Sequence, residues 1–183
     1  MVVAILLMVV LLLLAAAVDV GRLLIERGRL ERSAQAAADA GLGIVAERMV
    51  TLAIPRLTEG AARPACLPDA GYGTPGASCT ATPSPNRAEQ WLTDADRAEL
   101  VAAPVQTQAA AEAMAYAASN EAVPGMGAVV SLEVAYPEGY APGGPTLKMR
   151  ISIRASINIL FAGMLGQDDI DLDIDALSEI RQR

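Results

Sequence analysis

The chain has 183 residues, 53% of them apolar but only 3% aromatic, so its apolar weight is Ala, Leu, Val and Ile. That length accommodates one domain with an appendage. A net charge of -7 argues against a nucleic-acid surface, which needs clustered Lys and Arg, and the absence of histidine removes the commonest general base and metal ligand.

The first eighteen residues, MVVAILLMVVLLLLAAAV, contain no polar side chain. As a helix they extend about 27 Å, close to the hydrocarbon thickness of a bilayer. Met1, Ile5, Leu12 and Val18 mark this membrane and filament-core segment. A secretory signal carries a basic flank before its apolar core, and none is present here. The start inside the apolar run is that expected of a mature form whose short leader has been removed. Arg22, Arg27, Arg29 and Arg32 follow the span, a charge bias that by itself places this side in the cytoplasm. Loss of a basic leader would reconcile that bias with an extracytoplasmic head.

No turn signal follows. Val20, Leu23, Leu24, Leu30, Ala34, Ala37, Gly41, Val45, Met49 and Leu52 recur at steps of three and four, which predicts a helix continuing to Pro55. The helix over residues 1–54 is therefore expected to run roughly 80 Å. Its middle is built from small residues. Ala34, Ala37, Ala38 and Gly41 are the predicted helix-packing positions, since small side chains let backbones approach closely. A helical filament core needs such a surface, and Gly41→Leu is expected to block assembly while leaving the chain exported and folded.

Residues 55–105 form a Pro/Gly-rich insert. Cys66 and Cys79 flank LPDAGYGTPGAS, without metal-ligand spacing, and are expected to form a disulfide in an oxidising compartment. A ring of that size contributes roughly 3 kcal/mol by the loop-entropy model. A short helix in PNRAEQWLTDADRAELVAAP follows, with Trp91 as its anchor on the head. Residues 106–183 are predicted to form a second helix, over 106–122, and three strands.

Within the head, Val130, Leu132, Val134 and Tyr136 are expected to share one strand face. Strict alternation from Leu147 to Ile159 marks a half-buried antiparallel strand. The last strand alternates Ile170, Leu172 and Ile174 with aspartates. Pairing with its neighbour would set Lys148, Arg150 and Arg154 against Asp169, Asp171 and Asp173. A surface Ca²⁺ site is the second reading of this acidic ladder. An EF-hand is excluded, because Ala176 and Gln182 stand where its glycine and glutamate belong.

The stretch AVDVGRLLIERGRLERSAQAAADAG resembles the N-terminal signature of the TadE/TadG-like proteins of the Flp (tight adherence) pilus system. AAAEAMAYAASNEA and INILFAGMLG are similar to later parts of the same pattern. The resemblance implies a pilin-like envelope protein exported by a type II/type IV-like assembly machine, with its leader cut by a prepilin peptidase. Ile5 stands where many pilins carry glutamate, and the first acid is Asp19.

The expected architecture is α+β and pilin-like: a long N-terminal hydrophobic helix packed against a small antiparallel sheet head with a disulfide-closed insert. The expected role is a structural pilus subunit, held in the inner membrane before assembly, that partners copies of itself. The alternative is a membrane-anchored accessory protein, a minor pilin or TadG-like, whose head binds a surface or another pilus component. No phosphate loop, nucleophile elbow or metal cluster suggests an enzyme or a cofactor.

Overall fold

A computed structural model of the chain describes residues 2–61, 88–121, 128–142, 144, 146–158 and 169–181. The Cys66–Cys79 pair, Met1, Ile159 and most of INILFAGMLG lie outside these residues.

Helix α1 spans Val2–Ala61, about 90 Å at the standard rise. It passes through Pro55, where the sequence predicted a stop. Proline removes one backbone donor and costs about 3 kcal/mol in a helix interior. Tertiary contacts act on the turn beyond it. Ala53 is buried, and Arg56 reaches out of the helix to the Asp96 carboxylate and to the Trp91 carbonyl. Thr58 Oγ1 donates to the Pro55 carbonyl at 2.7 Å.

A short 3₁₀ turn, Ala88–Trp91, leads into helix α2, Asp94–Leu100. Thr93 begins α2 with a reciprocal cap. Its hydroxyl accepts from the Asp96 N–H, and its own N–H donates to the Asp96 carboxylate at 2.7 Å. Helix α3, Ala103–Glu121, starts three residues before the predicted position. It buries Val105, Ala109, Ala113 and Ala117, a four-residue repeat that makes one face of α3 almost side-chain-free.

Strands β1 (Ala128–Ala135), β2 (Thr146–Asn158) and β3 (Asp169–Arg181) form an antiparallel sheet in the order β1-β2-β3. The central strand obeys the predicted alternation: Leu147, Met149, Ile151, Ile153, Ala155 and Ile157 are buried. In β1 the expected face is broken. The register jumps from Val129↔Ala155 to Ser131↔Arg154, so Val130 is bulged out and 61% exposed while Val129 packs inward. A bulge adds one residue and shifts the period of two, which strand alternation in the sequence cannot register.

Two layers result. Helices α1 and α3 cover one face of the sheet, and the other face is polar. At the far end of the head, the buried Tyr136 hydroxyl donates to the Leu100 carbonyl at 2.9 Å, and burial together with nearby Tyr140 raises its pKa.

Candidate membrane and assembly surfaces

The first turns of α1 stand clear of the head. Ile5, Leu12 and Val18 are all exposed, and the most apolar 18-residue window has a mean hydropathy of 3.0 with 6% of it buried. The helix is long and apolar enough to cross a membrane. In water, an exposed apolar surface of this extent marks an interaction site.

At the end of the apolar run Asp19 is buried. Beyond it, Arg29 pairs with Glu26 at 3.3 Å, Arg27 with Glu31 at 2.8 Å, and Arg32 donates to the Gly28 carbonyl. These pairs lie within one helix, so they contribute only tenths of a kcal/mol each.

The four small positions lie in the core of the head. Ala34, Ala37 and Ala38 are fully buried among α3 and the sheet. A Cβ built on Gly41 would stand 2.5 Å from Met149 Sδ and 2.9 Å from the Ala109 carbonyl oxygen. Gly41 therefore lets α1 meet α3 and β2 within one chain. The expectation that Gly41→Leu leaves the head folded is corrected: the Ala109 carbonyl is backbone and cannot swing aside.

The opposite face of α1 is exposed among the described residues. Val18, Ile25, Gly43, Val50 and Ile54 are exposed, and their spacings of 7, 18, 7 and 4 keep them on one stripe of a 3.6-residue helix. Gly43 has nothing within 4 Å of the position a Cβ would take. Sequence reading passed over this stripe because the small residues beside it offered the stronger pattern. Val50 and Ile54 on the polar side were the available signal.

The charge ladder is only partly the predicted one. Arg154 Nε bonds Asp173 at 2.7 Å. Lys148 meets Glu179 at 3.7 Å, and Arg150 bonds Glu138 at 2.9 Å, rather than aspartates. Register explains this, since Arg150 lies opposite Leu177, beyond the acidic run. Asp169 and Asp171 stand opposite Asn158 and Ser156, and Asp175 accepts from Ser152. Among the described residues, no group of three or more His, Cys, Asp or Glu could hold a metal ion.

Two ion pairs fasten α1 to the short helix α2, Arg48 with Glu99 and Arg56 with Asp96. Arg56 grips Asp96, whose side chain is 10% exposed. Burial pushes the Asp96 carboxyl up, but hydrogen bonds from Arg56 and Thr93 and the Arg56 charge outweigh it and bring the pKa down to about 2.

Residues 1–53 match the family model Tad, described as Flp pilus-assembly TadE/G-like. No curated protein and no solved structure matches the chain. The match relates the chain to pilus assembly and, with the exposed apolar helix, to a membrane.

Proposed function

From the premise of a TadE/TadG-like segment over residues 1–53, we propose that this protein is a structural subunit of an extracellular Flp/Tad-like pilus. One observation carries the reading: large apolar side chains stay exposed on α1 at two places, Val18, Val20, Leu24 and Ile25 at the end of the anchor and Val50 and Ile54 beside the head. A monomer resting in a membrane needs apolar surface only across the bilayer. Here exposed apolar side chains recur as far as Ile54, about 54 Å past Val18, where an assembling neighbour would cover them.

In this reading, the inner membrane holds the apolar segment before assembly, a prepilin peptidase removes a leader, and the assembly machinery passes the subunit into a filament of its own copies. Electron microscopy of sheared cell-surface material, with mass spectrometry of the intact subunit, tests it. Filaments composed mainly of this chain are expected. Recovery only in membranes, without filaments, would replace the subunit with an anchored accessory protein.

A further inference from the structure

A half-open groove of about 440 Å³ lies between α1 and α3 at the end of the head away from the anchor. Ile44 and Val105 line it with apolar surface, and Glu47, Glu99, Thr51 and Gln108 with polar groups. Arg48 spans one side, its Nε bonded to Glu99 at 3.0 Å. One helical turn along α3 from Gln108 stands the exposed Glu112. Three glutamates against one arginine give this region a negative balance.

A second feature of α1 is unexplained by contacts among the described residues. Gly21 and Gly28 lie in the helix interior, where each costs about 1 kcal/mol relative to alanine. Among the described residues, nothing stands within 4 Å of a Cβ built on either. Seven residues apart, they share a helix face with Leu24 and Ile25, which are 62% and 61% exposed. The same segment, residues 22–32, carries four arginines against two glutamates.

We propose that the groove between α1 and α3 receives residues 21–32 of a second copy of this chain. The glycines would let that helix approach closely, Leu24 and Ile25 would meet Ile44 and the exposed Pro104, and the arginine excess would face Glu47 and Glu112. Docking residue 26 of one chain beside residue 46 of another shifts the parallel copies by about 30 Å along α1. The contact joins two different patches, so each copy keeps a free groove at one end and a free helix at the other. Such heterologous contacts propagate into open helical filaments. The inference rests on the subunit reading and assigns it a contact.

The test places the photo-cross-linker p-benzoylphenylalanine at Thr51 of the full-length chain in cells that produce filaments. The expected product is a dimer whose cross-linked peptide falls within residues 21–32. Gly28→Leu should lower its yield at least tenfold while the chain melts at or above the parent temperature and is exported unchanged. Cross-links to another protein, cross-links elsewhere on a copy, or no dimer would each overturn the docking. Filaments persisting without the dimer would leave the subunit reading intact, whereas absence of filaments from unmodified cells is the result that removes that reading.

Discussion

Gly41 and Gly43 sit two residues apart on one helix and have opposite surroundings. A side chain at Gly41 would enter Met149 and the Ala109 backbone, whereas Gly43 faces open space. The same division runs along α1 from Ala34 to Ala53: one face has its partners inside the chain, and the opposite face is exposed among the described residues. Small residues therefore do not by themselves announce an assembly surface. What distinguishes the two is whether the fold has already used them.

The comparison breaks most readily at Gly41. Gly41→Leu should destabilise the head by about 3 kcal/mol or more, since overpacking a tight site typically costs 1–3 kcal/mol and here backbone blocks relief. Gly43→Leu should melt at or above the parent temperature, because leucine removes a glycine penalty of up to about 1 kcal/mol. Thermal melts of the detergent-solubilised proteins decide this. Equal destabilisation by both variants would refute the asymmetry.

A smaller effect sharpens the joint between helix and head. Asp96 titrates near 2 when folded, against an ordinary value of 3.8, so the folded state prefers its ionised form. The stabilisation is complete above about pH 4 and is lost as pH falls toward 2, a change on the order of 2 kcal/mol. Asp96→Asn should flatten that acid limb in denaturant titrations at stepped pH. An unchanged slope would mean that other carboxylates govern it.

The smallest effect is expected on the sheet's outer face. The Arg154–Asp173 pair is exposed on both sides. Arg154→Ala should leave the melting temperature nearly unchanged in the same melts. A larger loss would give the polar face a structural role that its exposure denies.

Much of the fold is legible in the sequence because it depends on local periodicity. The apolar run of residues 2–18 declares a membrane-length helix whatever surrounds it. The alternation in β2 declares which residues face the core, and the helical stripe through Ala34, Ala37 and Gly41 declares that something packs closely there. The capping box of Thr93 and Asp96 is equally local, though it is the structure that shows it, with an aspartate where the usual pattern has glutamate.

Other features lie beyond such reading. Pro55 is a local stop signal, overridden in a helix whose far end is held by Arg56 across 40 residues to Asp96. The bulge at Val130 shifts a strand face by one residue, and the β2–β3 register gives Arg150 to Glu138 instead of an aspartate. Sequence by itself determined the periods: an apolar helix, a small-residue stripe and an alternating strand. Only the tertiary structure decided the partners, placing Gly41 against Ala109 and leaving Gly43 open, because a period specifies a face but a contact requires two distant segments to meet.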